Sequence, residues 1–279
     1  MSAIDPSELL SITSRREGGG RFRPGYEKKD SERYPLISIV TVVYNGADVL
    51  EKTIQSVLSQ TYRNIEYIIV DGGSSDGTLD IIRNYDQSID CWVSAPDKGI
   101  SDAFNKGLRA SSGDWVLFLN AADRFMADDV LERMSVHFNA WKLITGFARY
   151  GRTTIPYRAV GNEDPLKTRA LISHQATIVH RSVFDTYGMF DERFKIRMDY
   201  DFWLRVLKHV KFKFMNDIIV RYAEGGASTK SMISFYIEEM RANKKNLGSC
   251  NVLSLRKIQN VFYAVKDHLH DRTATKHEP

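Results

Sequence analysis

One stretch, Asp97 to Asp123, constrains the fold more than any other part of this 279-residue chain. It opens with an acidic turn, continues as a short helix that carries Asp102, and ends in an apolar run from Trp115 to Leu119. The pattern predicts a helix that leads into a buried strand with Asp123 just beyond the strand's carboxyl end. Ligands of open α/β sheets bind beyond the carboxyl ends of the strands, so Asp123 is a candidate site residue. A cap on the following helix is the alternative explanation for this carboxylate.

Two earlier segments predict strands that also end in polar residues. Ile37 to Val43 is β-branched and almost unbroken, as expected of a strand covered on both faces, and Tyr44 and Asn45 follow it. Ile65 to Val70 is a second such strand, and Asp71 follows it. Predicted helices separate these strands, which implies right-handed parallel crossovers. The sequence therefore predicts an α/β fold with its polar residues gathered at one edge of the sheet.

Polarity and glycine content divide the chain into three parts. Residues 1–34 form a polar, glycine-interrupted extension, residues 35–228 form the α/β domain, and residues 229–279 form a helical tail. Within the tail, the stretch 252–269 has an apolar face and a basic one. Packing onto the domain and docking on an anionic bilayer would both explain that apolar face.

Charge and cysteine usage limit the partners and the compartment. A net charge of +4 and a pI near 8.9 are far from the charge density of a dedicated nucleic-acid binder, so we expect no nucleic-acid partner. Two cysteines give neither a disulfide framework nor a zinc spacing, which favours a reducing compartment. The sequence contains no run of about 18 apolar residues and no signal peptide at its start. We therefore expect a cytoplasmic protein, with attachment to the inner face of the membrane left open.

Five segments, in this order, resemble the inverting glycosyltransferases of family 2, which have the GT-A fold. They are Ser38 to Asn45, Ile69 to Thr78, Pro96 to Gly107, Gly113 to Asn120, and Met198 to Arg205. The resemblance implies a Rossmann-like, mostly parallel central sheet flanked by helices, with a C-terminal helical extension. It also implies a nucleotide-sugar-binding half at 35–125 and an acceptor-side half at 126–228.

The resemblance implies an enzyme that moves a hexose or N-acetylhexosamine from a UDP-sugar to a hydroxyl of a glycan or polyprenyl-linked acceptor. Mn²⁺ or Mg²⁺ would assist a single displacement, since hard oxygen ligands suit these ions. The likeness to enzymes of bacterial surface-polysaccharide assembly suggests this acceptor class. Processive members carry transmembrane helices and a Gln-x-x-Arg-Trp element, and neither occurs here, which favours addition of one sugar. The oligomeric state is left open.

The resemblance assigns most candidate site residues to the donor. The end of the first strand and Asp71 would hold the nucleobase and ribose, the acidic turn would contact the donor, and a glycine pair would lie near the diphosphate. The donor-side candidates are Val43, Tyr44, Asn45, Asp71, Gly72, Asp97, Lys98, Asp102, Ala122, Gly225 and Gly226.

Asp123 matches the last acid of the family's metal-binding Asp-x-Asp element, and His174 resembles a position on the acceptor or metal side. The sequence departs from the family at Ala122, where an aspartate is usual. Ala122 could be an engineered substitution, Asp123 could suffice for the metal, or the protein could be a natural relative with altered metal use. The alternative function is therefore a catalytically impaired donor-binding protein or scaffold.

Asp199 matches the family's catalytic base, and Asp201 is the second candidate. Residues i and i+2 of a helix do not share a face, so only one of the two can point into a cleft. The first turn of a helix also favours carboxylates through the helix dipole, which would explain both residues without catalysis. General-base chemistry at an acceptor hydroxyl favours Asp199.

Overall fold

A ten-stranded mixed sheet forms the centre of this computed structural model, which describes residues 17–20, 34–156, 172–223 and 232–248. The strands are β1 (Glu17–Gly19), β2 (Ile37–Val43), β3 (Ile65–Asp71), β4 (Cys91–Ser94), β5 (Trp115–Phe118), β6 (Arg124–Phe125), β7 (Leu143–Tyr150), β8 (Thr153–Ile155), β9 (Thr177–His180) and β10 (Lys213–Tyr222). The helices are α1 (Leu50–Leu58), α2 (Thr78–Asn84), α3 (Ile100–Ala110), α4 (Val130–Ser135), α5 (Arg181–Tyr187), α6 (Met198–Val206) and α7 (Met232–Leu247), and a 3₁₀ turn spans His174–Ala176.

The strand order is β1-β4-β3-β2-β5-β9-β7-β10-β6, with β8 paired to β7. The strands β4, β3, β2 and β5 run parallel to one another, which confirms the predicted parallel half of the sheet. The strand β9 runs antiparallel between β5 and β7, and β10 pairs in parallel with β7. The β2–β3 register places Val43 opposite Asp71, so the polar residues that follow both strands meet at one edge of the sheet.

The apolar run of β2 is explained by helices on both faces of the sheet. Ile37 and Ile39 belong to a core formed with α1 and α4, whereas Val40 and Val42 belong to a second core formed with α3 and α6. All seven residues of β2 are buried. A strand covered on both faces needs apolar side chains at successive positions, which is what the sequence shows.

A glycine sets how closely α3 lies on the sheet. A Cβ atom on Gly107 would lie 2.2 Å from Cγ1 of Val40, so any larger residue would push α3 away from β2. The position of α3 matters because its amino-terminal end and the turn before it carry several candidate site residues.

Part of the polar N-terminal extension belongs to the sheet. The strand β1 pairs antiparallel with β4, with Glu17 opposite Ser94, and the Glu17 carboxylate forms an ion pair with Arg83. The sequence Glu-Gly-Gly has no apolar alternation, so its pattern gave no sign of this edge strand.

The helix α7, from the predicted helical tail, packs along α6. Ala242 is fully buried at this contact, and three polar residues of α7, Glu238, Glu239 and Asn243, are also buried. The stretch 252–269 lies outside the described residues. No helix in the part of the chain that the structure describes is long and apolar enough to cross a bilayer.

Candidate functional site

The turn after β3 is organised by the buried carboxylate of Asp71. Its oxygens accept hydrogen bonds from the backbone N–H of Gly73 at 3.2 Å, from the N–H of Ser74 at 3.0 Å and from the hydroxyl of Ser94 at 2.6 Å. The hydroxyl of Ser74 donates a further bond. These bonds hold the turn rigidly beside the end of β2.

Gly72 lies against the Asp97 side chain of a second loop. The Gly72 N–H donates to the carbonyl of Val43 at 2.9 Å, and a Cβ on Gly72 would lie 2.6 Å from Oδ2 of Asp97. Next to it, Tyr44 is 67 % exposed, and Asn45 adopts a left-handed φ of 48°. The structure thus brings the predicted donor-side residues of β2, β3 and the acidic turn together.

The acidic turn before α3, residues 97–99, is held by hydrogen bonds to the side chains of Asp97 and Asp102. Asp97 accepts the N–H of Gly99 at 2.7 Å, and Asp102 accepts the N–H of Lys98 at 2.9 Å. Lys106 lies 3.1 Å from the Asp102 carboxylate. Burial acts to raise the pKa of Asp102, but the Lys98 N–H and the positive charges of Lys106 and Arg109 together outweigh it, and the pKa is lowered. Asp102 therefore stays charged and fixes the shape of the turn.

A cleft of about 410 Å³ opens beside this edge, between the sheet, the amino-terminal end of α6 and α7. Three residues predicted from the sequence, Asp123, His174 and Asp199, line the same cleft. Its lining consists of Ile100, Asn120, Asp123, Tyr150, Ile155, His174, Gln175, Lys195, Ile196, Arg197, Met198, Asp199, Tyr222, Ala223 and Phe235.

Asp123 is a buried carboxylate that lines this cleft. Its Oδ1 accepts the N–H of Ala223 at 2.9 Å, so it does not cap a helix, and no other hydrogen bond to the carboxylate occurs among the described residues. Burial raises the pKa of Asp123 to about 7, and the Ala223 hydrogen bond offsets only part of this effect. Such a partly desolvated carboxylate with an uncommitted oxygen is suited to a cation.

Ala122 occupies an unusual backbone conformation, with φ of 80°. Its N–H donates to the hydroxyl of Thr53 at 2.9 Å, and that hydroxyl donates to the carbonyl of Asp123 at 2.8 Å. These bonds fix the turn that presents the Asp123 side chain. Ala122 does not contribute to the lining of the cleft.

His174 is enclosed by aromatic rings, and neither of its ring nitrogens has a hydrogen-bond partner among the described residues. It stacks on Phe118 with ring centroids 5.3 Å apart and lies 5.9 Å from the Trp203 ring. Burial lowers the pKa of His174 to about 4, although the nearby Asp199 carboxylate acts in the opposite direction. The ring is therefore neutral at physiological pH, and both of its nitrogens are buried with no hydrogen bond from the described residues.

Asp199 and Asp201 lie in different surroundings. Asp199 lines the cleft, where its Oδ1 accepts the N–H of Tyr200 at 2.7 Å. Asp201 is fully buried and forms ion pairs with Lys245 at 2.9 Å and Arg205 at 3.2 Å. The α6 helix turns the two carboxylates to different sides, and only Asp199 reaches the cleft.

The few possible metal ligands in the cleft fit a divalent cation only if phosphate or water supplies its remaining ligands. Among the described residues, no group of three or more His, Cys, Asp or Glu side chains is placed to hold a metal ion. Mg²⁺ is commonly bound through one or two carboxylates together with substrate phosphates and water. Asp123, with His174 in the same cleft, therefore fits a metal that arrives with a diphosphate.

Several cleft residues escaped the sequence analysis. Lys195 and Arg197 are two cations in the segment before α6, and Phe235 comes from α7. The Oδ1 atom of Asn120 is buried without a hydrogen-bond partner in the described part of the chain. Asn120 was already a candidate from the sequence, because it directly follows the apolar run 115–119, whereas Lys195, Arg197 and Phe235 reach the cleft only through tertiary packing. Gly225 and Gly226 lie outside the described residues.

The sequence matches the family described as Glycosyl transferase family 2 over residues 38–212. A PGL/p-HBAD biosynthesis glycosyltransferase of Mycobacterium bovis is 28 % identical over 207 residues, which cover 71 % of this chain and 81 % of the relative. An uncharacterized glycosyltransferase of Mycobacterium tuberculosis is 31 % identical over 182 residues, which cover 61 % of this chain and 68 % of the relative.

Two solved structures share the fold. S. aureus TarS in complex with UDP-GlcNAc aligns with a TM-score of 0.65 at 18 % identity, covering 80 % of this chain and 69 % of TarS. The mannosyltransferase PcManGT from Pyrobaculum calidifontis, in complex with GDP-Man and Mn²⁺, aligns with a TM-score of 0.58 at 15 % identity, covering 85 % and 70 %. The predicted GT-A type of α/β fold is confirmed by these similarities.

Proposed function

The chain belongs to glycosyltransferase family 2, and we propose that it is an inverting enzyme that transfers one hexose or N-acetylhexosamine from a UDP-sugar to an acceptor hydroxyl. The observation that carries this proposal is the cleft that Asp123 and Asp199 both line. Asn120 lines the cleft and follows β5, which pairs in parallel with β2, so the cleft lies near the carboxyl ends of parallel strands, where a nucleotide would bind.

The donor would bind along the edge formed by β2, β3 and the acidic turn. The exposed ring of Tyr44 offers a surface for a nucleobase, and the turn held by Asp71 and Gly72 offers backbone groups to the ribose. Lys195 links the donor edge to the cleft, because its Nζ donates to the carbonyl of Lys98. The complexes of TarS with UDP-GlcNAc and PcManGT with GDP-Man support a nucleotide-sugar donor.

Asp123 and His174 would hold a Mn²⁺ or Mg²⁺ ion that binds with the donor diphosphate. The bound ion would supply Lewis-acid stabilisation to the negative charge that develops on the leaving diphosphate. The complex of PcManGT with Mn²⁺ supports this assignment. The Ala223 N–H and the turn of Ala122 orient the Asp123 carboxylate before the ion arrives.

Asp199 would act as the general base. The acceptor hydroxyl oxygen forms a bond to the anomeric carbon while its proton passes to the Asp199 carboxylate. The bond between the anomeric carbon and the diphosphate oxygen breaks, and the nucleoside diphosphate leaves with the bonding electrons. A single displacement of this kind inverts the anomeric configuration. The burial of Asp201 in ion pairs with Lys245 and Arg205 argues against Asp201 in this role.

The acceptor would be a glycan or a lipid-linked saccharide. Part of the cleft wall is apolar, since Ile155, Ile196 and Phe235 line it, and the cations Lys195 and Arg197 stand beside them. This combination suits an amphipathic acceptor that carries negative charge, as a polyprenyl diphosphate does.

The assignment of the base is tested by a matched pair of substitutions, Asp199→Asn and Asp201→Asn. Loss of a general base lowers the turnover number roughly 10²- to 10⁴-fold. Asp199→Asn should therefore lower the turnover number for Mn²⁺-dependent hydrolysis of UDP-sugars, or transfer from them, by roughly this factor. Its melting temperature should stay unchanged, because Asp199 forms no ion pair in the described structure. Asp201→Asn should instead lose about 2 to 3 kcal/mol of stability, since hydrogen bonds to charged groups are lost.

Equal activity of Asp199→Asn and the unmodified protein would remove Asp199 as the base. The alternative function, a catalytically impaired donor-binding protein or scaffold, rests on Ala122. It predicts UDP binding without hydrolysis in the unmodified protein and activity in Ala122→Asp. Absence of hydrolysis and transfer in both proteins, across a panel of UDP- and GDP-sugars with Mn²⁺, would contradict an enzymatic function.

A further inference from the structure

A buried carboxylate on α7 holds the segment that leads into α6. Glu238 is 7 % exposed, and its two oxygens accept three consecutive backbone N–H groups. The N–H of Lys195 donates to Oε1 at 2.9 Å, and those of Ile196 and Arg197 donate to Oε2, each at 2.8 Å. A carboxylate that accepts several backbone N–H groups forms strong, charge-assisted hydrogen bonds.

Glu238 accepts one of the free N–H groups at the start of α6, that of Arg197, while the Asp199 side chain accepts that of Tyr200. The N-cap residue Arg197 supplies no side-chain capping hydrogen bond of its own. A helix start normally satisfies its free N–H groups through a local Ser, Thr, Asp or Asn. Here Glu238, about forty positions further along the chain, accepts the N–H of the N-cap residue and those of the two residues before it, so the backbone that leads into α6 depends on α7.

The 195–197 segment lines the cleft and also contacts the acidic turn before α3. Lys195, Ile196 and Arg197 all line the cleft, and Asp199 follows two residues after the last N–H that Glu238 accepts. The Nζ of Lys195 also donates a hydrogen bond to the carbonyl of Lys98 in the acidic turn. A shift of the segment would therefore displace Asp199 and loosen the link between the donor edge and the cleft.

The side chain of Arg197 adds a second contact between the same elements. Its guanidinium lies over the rings of Tyr200 at 4.5 Å and Phe235 at 4.3 Å, and it lies 3.7 Å from the Glu239 carboxylate. These contacts hold the side chain, whereas Glu238 holds the backbone. The two kinds of contact can therefore be separated by mutation.

We propose that Glu238 is a positioning residue for the transfer reaction, which fixes the 195–197 backbone and thereby the orientation of Asp199. The inference rests on the proposed function. It assigns the C-terminal helix to the catalytic architecture, although no residue of α7 other than Phe235 lines the described cleft. Glu238 itself contacts neither the donor side nor the reacting atoms.

The test compares Glu238→Ala and Glu238→Gln with Asn243→Ala in the full chain. Asn243 is a matched control, because it is buried on the same helix and accepts a hydrogen bond from the Tyr200 hydroxyl at 3.0 Å, away from the cleft. The measurements are the turnover number for Mn²⁺-dependent hydrolysis of UDP-GlcNAc and UDP-glucose, the Kd of UDP, and amide hydrogen exchange at residues 195–199.

Glu238→Ala should lower the turnover number on the order of 10- to 100-fold, because misplacement of a catalytic group by about 1 Å has effects of this size. The Kd of UDP should not change, since UDP would bind to groups on β2 and β3. Glu238→Gln keeps one acceptor oxygen and places an NH₂ group against an N–H donor, so its activity should be intermediate. Amides 195–197 should exchange about tenfold faster in Glu238→Ala.

Asn243→Ala should lose stability comparably but keep its turnover number and its exchange pattern at 195–199. Unchanged exchange in Glu238→Ala would overturn the proposal whatever the activity. An equal fall in turnover for Glu238→Ala and Asn243→Ala would reduce Glu238 to a general structural role. Absence of hydrolysis in the unmodified protein would contradict the proposed function and the catalytic part of this inference, while the exchange data would still decide whether Glu238 holds the segment.

Discussion

At the scale of single residues, Ala122 has a backbone conformation that alanine adopts only with strain. Its φ of 80° lies in the left-handed region, where a residue with a Cβ is strained. The turn is nevertheless held, because the Ala122 N–H and the Asp123 carbonyl both bond to the Thr53 hydroxyl. Position 122 therefore favours a residue that tolerates positive φ, which glycine and aspartate do better than alanine, and the carboxylate at the cleft comes from Asp123.

Ala122→Gly should stabilise the protein by roughly 0.5 to 1 kcal/mol. The left-handed conformation costs a residue with a Cβ about 1 to 2 kcal/mol, and the greater freedom of glycine in the unfolded chain offsets about 0.4 to 1 kcal/mol of the gain. Thermal unfolding should show a melting temperature higher by about 1 to 4 °C. Ala47→Gly in the turn before α1 is a control without a positive φ, and it should not stabilise. A lower melting temperature for Ala122→Gly would mean that the turn adopts another conformation.

The sequence could identify those site residues whose place follows from a single element. Asp123 comes just after β5 and Asp71 ends β3, so their position at the edge of the sheet follows from strand direction. The choice between Asp199 and Asp201 needed the structure, because Lys245, which pairs with Asp201, lies on another helix. Glu238 could not be found from the sequence, since its three partners become neighbours only when α7 packs on α6.

At the scale of elements, the contact of α7 with α6 is more polar than a typical helix contact. Lys245 of α7 bonds both to Asp201 of α6, at 2.9 Å, and to Asp191 in the loop after α5, also at 2.9 Å. Asn246 donates to the same Asp201 carboxylate at 2.8 Å. These charged groups join three elements and fix the position of α7 along α6. The position of α7 in turn sets where Glu238 holds the 195–197 backbone beside the cleft.

Asp191→Asn tests the electrostatic part of this contact. The Arg193 guanidinium, and to a smaller extent the Lys245 ammonium, hold the pKa of Asp191 well below its usual range. A lowered pKa contributes stability above the unfolded-state pKa near 4, and this stability is lost as the pH falls through the folded-state pKa. The variant should therefore melt about 2 to 4 °C lower at pH 7, for a loss of about 1 kcal/mol.

The difference between Asp191→Asn and the unmodified protein should shrink as the pH is lowered from 5 towards 2. It should also shrink in 1 M NaCl, because salt screens accessible ion pairs. A difference in melting temperature that stays constant over this pH range would show that the substitution acts through packing and not through charge.

At the scale of the whole molecule, the sequence predicted one half of the sheet better than the other. The strands β2, β3, β4 and β5 alternate with helices, and this local order implies parallel pairing. The placement of β9 between β5 and β7 depends on contacts between distant segments, so the sequence pattern did not determine it. The cleft forms where these two halves and α7 meet, which is why its two acids could be predicted but most of its lining could not.

Ligand binding at this junction should stabilise the whole domain. A ligand at 100 times its Kd adds about 2.7 kcal/mol to the stability of the state that binds it, which corresponds to roughly 5 to 10 °C in melting temperature for a domain of this size. UDP with Mn²⁺ should therefore raise the melting temperature more than UDP with EDTA, because the Asp123 carboxylate would contribute only through the metal. The matched variant is Asp123→Asn, whose amide oxygen can still accept the Ala223 N–H. It should retain the effect of UDP alone and lose the Mn²⁺-dependent increment, whereas an equal increment in both proteins would place the metal away from Asp123.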